Sequence, residues 1–182
     1  MFKTNTSKAA ESFDIKPEGD YEIIIKSAEV KDFTRSDGSK TAKISFQYVI
    51  RNDVEQHFKN GYIFDEIWKK REPNEDDLAV DGFNFGQLMA IAKAAKLPDG
   101  KDYDSVQAFL NDLVGLVMKV HLKHDVYNGK TSEKVDRKDP TAFPDVKHVW
   151  KTAAASGGYA KPADTFAAAL TATSEADDDY PF

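Results

Sequence analysis

Two stretches of this sequence set positive charge beside an aromatic ring. Residues 33–40 hold Phe33, Arg35 and Lys40; residues 128–138, just after Tyr127, hold Lys130, Lys134, Arg137 and Lys138. Ammonium and guanidinium groups neutralise phosphates and release their counterions. Exposed rings stack on unpaired bases for roughly 1–3 kcal/mol each, whichever base is offered. The combination suits a flexible polyanion whose bases are free, which is a single nucleic-acid strand. Lys43, Lys119, His121 and Lys123 add charge at outward positions of alternating segments. Lysines on an exposed strand face also serve solvation alone. Tyr62, Phe64 and Trp68 share one face, with Lys69, Lys70 and Arg71 just beyond. A period of two fits a buried face as well as a contact face, so both readings stay open for these rings.

The chain end carries a second kind of chemistry. Asp177-Asp178-Asp179-Tyr180-Pro181-Phe182 puts an acidic run before an apolar terminus. The aspartates keep the segment in water. Phe182 offers a ring and a free α-carboxylate together, suited to a pocket flanked by Arg or Lys. A plain solubilising tail is the simpler alternative; the ring at the terminus favours recruitment of a partner protein.

Other chemistries find little support. With no cysteine there is no disulfide, zinc knuckle or thiol nucleophile, and a reducing compartment is expected. Glu75, Asp76, Asp77 and Asp81 cluster in sequence, the usual habit of a solvated loop. His121 and His124 are an odd number apart, so on a strand they point to opposite faces and do not share a metal. Gly157-Gly158-Tyr159-Ala160-Lys161 lacks the spacing of a phosphate-binding loop. No nucleophile–base pair emerges. The expectation is a non-enzyme without metal or cofactor.

The elements that must position these groups are legible. Residues 20–32 are β-branched and apolar. Residues 41–52 alternate, with Ala42, Ile44, Phe46, Tyr48 and Ile50 on the face expected to be buried, and residues 58–69 read as a third strand. Asp37-Gly38 marks a turn in the loop 33–40. Residues 71–82 read as a polar loop. Phe85, Leu88, Met89, Ala92 and Ala95 recur at helical spacing, ending before Pro98. A second helix starts near Asp104, with Gln107 placed for a capping box and Gly115 for a stop. Residues 116–127 alternate again: Leu116, Met118, Val120, Leu122 and Val126 face one way, and Lys119, His121, Lys123 and Tyr127 the other. Asn128-Gly129 then signals a hairpin, whose returning strand falls within 131–151.

Composition bounds the whole. With 182 residues, 41% of them hydrophobic, the chain can form one domain with an appendage. The start, Met1-Phe2-Lys3-Thr4-Asn5-Thr6-Ser7, lacks a signal-peptide run, and no stretch reaches the roughly 20 apolar residues of a membrane span. A soluble, cytoplasmic protein with no membrane partner is expected. Net charge is −6, but Glu175 and Asp177 to Asp179 carry four of those charges, leaving −2 over residues 1–174. A nearly neutral body can carry a basic stripe. From residue 152 the composition turns to Ala, Ser, Thr and Gly. The expected organisation is a domain over 1–151, a linker over 152–174 and a tail over 175–182.

Three strands, helices and a hairpin follow the order of an OB-fold, a five-stranded Greek-key barrel with its helical insertion between strands 3 and 4, whose oligonucleotide-binding loops between strands 1–2 and 4–5 are expected at residues 33–40 and 128–138. The last five residues are similar to the Asp-Asp-Ile-Pro-Phe ending of bacterial single-stranded DNA-binding proteins, with Tyr180 departing at one apolar position. The body resembles instead a phage-encoded family of single-stranded DNA-binding proteins, through Gly19-Asp20-Tyr21, Ala28-Glu29-Val30, Ile63-Phe64-Asp65, the two helices and Leu113-Val114-Gly115. That likeness spans about residues 15–151. It implies an OB-fold, a role in phage replication or recombination inside the host cytoplasm, and a tail that binds replication or recombination proteins. A homo-oligomer is compatible with the sequence. The alternative is an OB-fold adaptor that binds proteins and no nucleic acid.

Overall fold

The alternation of β2 (Lys40–Ile50) sets the architecture. Its inward residues Ala42, Ile44, Phe46, Tyr48 and Ile50 are all buried, while Thr41, Lys43, Ser45 and Gln47 keep partial exposure. The computed structural model describes residues 15–150. The chain divides into two units, Met1–Val149 and Trp150–Phe182, and the described fold belongs to the first. The expected linker, 152–174, and the expected tail, 175–182, lie outside the described residues.

β2 pairs antiparallel with the long β1 (Gly19–Thr34) on one side and with β3 (Tyr62–Trp68) on the other. β4 (Val117–Tyr127) pairs with the first part of β1, and β5 (Lys130–Asp139) returns along β4. The five-stranded antiparallel sheet has the order β3-β2-β1-β4-β5. β1 serves two partners because its halves diverge. Residues 19–24 lie against β4 and residues 23–34 against β2, with a register break between Ile25 and Ser27. The extra residue, Lys26, is a bulge that bends the strand. It also resets the alternation: Ile23 and Ile25 are buried before it, Ala28 after it.

Three helices separate β3 from β4. α1 (Glu75–Ala79) arises inside the stretch that reads as a polar loop, because the Asn74 side chain accepts from Asp77 N at 2.8 Å while Asp77 accepts from Asn74 N at 3.0 Å. This reciprocal pair is a capping box. The one expected at Gln107 is absent: Ser105 caps the later helix, and Gln107 bonds the β1 backbone at Ala28 and Val30. α2 (Phe85–Ala94) and α3 (Val106–Leu113) bury Leu88, Ile91, Phe109, Leu110 and Leu113 in the core on the inward side of the sheet. Each such side chain contributes roughly 1.5–3 kcal/mol. α3 stops at Gly115, whose φ of +89° is free only to glycine, and Gly115 N then bonds Ile25 O.

The second basic stretch is a strand, not a loop. Asn128 and Gly129 both have positive φ, as a type I′ turn requires. Lys130 through Asp139 are therefore paired with β4, and Pro140, which has no N–H to donate, follows the last paired residue. Val126 lies beyond the core and is exposed.

Residues 141–149 form a strap held by polar groups. Arg51 is fully buried. It donates to both carboxylate oxygens of Asp53 (3.0 and 2.7 Å), to Phe143 O (2.6 Å) and to Asp145 O (2.9 Å). Glu22 accepts from Thr141 Oγ1 and Ala142 N, and Asp53 accepts from Lys147 N. Asn52 bonds Val149 in both directions. Arg51 holds the Asp53 carboxyl down to about 2.

Candidate nucleic-acid interface

The outward side of β1, β2 and β3 answers the question the sequence left open. Tyr62, Phe64 and Trp68 point away from the core, with exposures of 41, 63 and 39%, and Phe33 at 44% joins them. Register explains it. Ile63, Asp65 and Ile67 take the inward positions opposite Tyr48, Phe46 and Ile44, so their neighbours must face out.

The rings form two pairs. Tyr62 and Phe64 stack at 6.4 Å between centroids, and Phe33 meets Trp68 edge to face at 5.2 Å, across β2. Each pair carries a lysine. Lys26 sits 4.6 Å from the Tyr62 ring centre and donates to its hydroxyl at 3.0 Å; Lys43 sits 5.0 Å from the Trp68 ring centre. Lys26 was not singled out from sequence. No residue type marks the bulge that places it: Ile24 is buried along with Ile23 and Ile25, as in a strand covered on both faces. Arg35 and Lys40 close the platform at the β1–β2 turn, which Arg35 N to Ser39 O (2.8 Å) holds tight.

The β4–β5 hairpin forms a separate surface. β1 covers β4 only as far as Leu122, so residues 123–134 project as a two-stranded arm. Tyr127, 76% exposed, and Lys130 face each other at its tip. Here the cations are largely matched by acids. Lys123 pairs with Asp136 (2.8 Å), Lys134 with Asp125 (4.0 Å) and Arg137 with Asp139 (2.7 Å). Asp20 collects Lys119, His121 and Arg137 at 3.6, 2.6 and 3.7 Å. The His121 hydrogen bond, ahead of the two cations, holds its carboxyl below the usual range. His124 turns the other way, to Lys16 O.

Lys138 leaves the expected set. A second register break, between His121 and Leu122, makes Asp136 an extra residue on β5. Lys134 and Arg137 consequently share the outer face while Lys138 turns inward. It pairs there with Asp65 of β3 at 2.9 Å, both side chains nearly buried. Tyr48 donates to the same carboxylate at 3.3 Å, and burial together with Asp65 pushes its phenol up. β3 and β5 are both edge strands and run in the same direction, yet no backbone ladder joins them. The sheet is not closed, and this ion pair spans its seam.

Lys43 is likewise engaged, by Glu66 on the adjacent strand. Among the described residues Arg35, Lys40 and Lys130 have no ion pair. Of the acidic positions Glu75, Asp76, Asp77 and Asp81, the first three form the first turn of α1. Asp77 caps α1, accepts from Phe85 N at 3.0 Å and pairs with Lys70. No helix among the described residues is long and apolar enough to cross a membrane.

A family model described as "Protein of unknown function (DUF669)" matches residues 2–158. The chain belongs to that family. The match takes in the whole sheet, the three helices and the strap through Val149. No curated protein matches the chain.

Proposed function

We propose that this protein is a single-stranded DNA-binding protein without sequence preference and without enzymatic activity. Two exposed ring pairs, each with a lysine over it, carry the reading. Stacking rewards unpaired bases of any kind, and the adjacent ammonium groups take the phosphates. The contact set is Phe33, Tyr62, Phe64 and Trp68 with Lys26, Arg35, Lys40 and Lys43. Tyr127 and Lys130 at the hairpin tip, with Lys119, Lys123, Lys134 and Arg137 along the arm, form an outer margin.

The strand order supports an OB-type barrel opened along one seam. In such a fold β3 and β5 are the strands that would meet, and here they run alongside one another and share the Asp65–Lys138 pair. The acidic end, Asp177 to Phe182, recruits replication or recombination proteins. Phage origin and work in the host cytoplasm complete the reading. They rest on the sequence resemblance alone.

A second reading, an adaptor that binds only proteins, draws on the acids beside most hairpin cations. Fluorescence titration with oligo-dT and with a duplex of equal length, at two salt concentrations, separates the two. The first reading expects oligo-dT to bind more tightly, with affinity falling as salt rises. Equal affinity for both, or none for either, removes it.

A further inference from the structure

Between α2 and α3, on the helical side of the fold, lies an open cleft of about 460 Å³ that the DNA reading does not use. Its floor is apolar. Phe85, Met89 and Leu97 line one side, and Tyr103 packs edge to face on Phe109 at 5.4 Å on the other. Met89 is 37% exposed although it lies on the apolar spacing of its helix. A thioether left in water beside half-buried rings is an interaction surface in waiting.

The rim decides the partner. Asp81, Asp99, Asp102 and Asp104 line the cleft against one cation, Lys101. That ammonium is tied to Asp112, which also accepts from the Tyr103 hydroxyl at 2.9 Å. The field at the mouth is therefore negative. Nucleic acid and acidic peptides are repelled by such a field. What fits is apolar side chains flanked by positive charge.

We infer that this cleft docks a cationic segment of a partner protein, whose bulky apolar side chains enter between α2 and α3 while its Lys and Arg residues meet Asp99 and Asp102. The surface is separate from the ring platform, so a partner and DNA are held at once.

The test uses the full chain and two short fluorescein-labelled peptides. Both carry the same Leu and Phe residues at helical spacing, one interspersed with Lys, the other with Glu. The Lys peptide should bind saturably and the Glu peptide about tenfold more weakly or not at all. Met89→Asp should weaken the Lys peptide about tenfold while leaving the melting temperature and oligo-dT affinity unchanged. Asp99→Lys with Asp102→Lys should reverse the preference between the peptides. Binding of the Lys peptide that survives Met89→Asp places it elsewhere, on the acidic terminus for instance, and overturns the inference. So does equal binding of both peptides. Self-association of the unliganded chain that Met89→Asp abolishes also overturns it, because the occupant is then a second copy.

Discussion

Two residues show how differently one side-chain type is used. Phe46 and Phe64 lie on neighbouring strands, yet Phe46 is core and Phe64 stands in solvent, because the β2–β3 register puts them on opposite faces. Removing a ring from the platform should therefore cost binding and not stability. Phe64→Ala and Trp68→Ala are each expected to weaken oligo-dT by about 1–3 kcal/mol, with melting temperatures near that of the parent. Titration and a thermal melt on the same samples check this. Asp53 behaves in the opposite way. Its folded carboxyl titrates at about 2, held there mainly by Arg51, against 3.8 when free. The stability it supplies is complete above about pH 4 and disappears as pH falls through about 2. Asp53→Asn should lower stability at pH 7 and flatten its decline across that window, as read by urea midpoints at successive pH values.

At the scale of the element, alternation was legible and its interruptions were not. The inward face of β2, the apolar stripes of α2 and α3 and the Asn128-Gly129 turn all followed from residue type. The bulges at Lys26 and Asp136 did not, since one extra residue leaves composition untouched while reversing every side chain beyond it. Lys138, expected on a DNA-contacting loop, lies instead on a strand, and the second bulge turns it inward. α1 escapes the sequence reading because its first turn, Glu75-Asp76-Asp77, is made of the acids that mark a solvated loop. The strap has no periodicity at all; it is held by single side chains distant in sequence, Glu22 on β1 and Arg51 to Asp53 just past β2. At the seam, Asp65→Ala should destabilise by about 1–3 kcal/mol because Lys138 is left nearly buried without a partner. Asp65→Ala with Lys138→Met should cost less than the two single changes added together. Denaturant midpoints of the four proteins decide it. Additive losses would mean that the pair does not couple the edges.

For the molecule as a whole, charge is distributed rather than absent. The net −6 coexists with a platform edged by Lys26, Arg35, Lys40 and Lys43 and with a helical cleft edged by aspartates. If those four cations meet phosphates, log K should fall with log salt at a slope of about −3. A slope near zero would leave the rings as the sole contact. Deleting residues 175–182 removes four negative charges and should leave oligo-dT affinity equal or higher, because a less acidic chain repels phosphate less. A loss of affinity on deletion would assign the terminus to DNA contact instead.

The strap also fixes where the protein can be cut. The sheet ends at Asp139, which invites a fragment stopping there. Such a fragment would keep every strand and helix yet strip Arg51 of two carbonyl acceptors and Glu22 of both its strap donors, stranding charged groups at sites built to be dry. A fragment that keeps these contacts therefore runs ten residues past the last strand, to Val149.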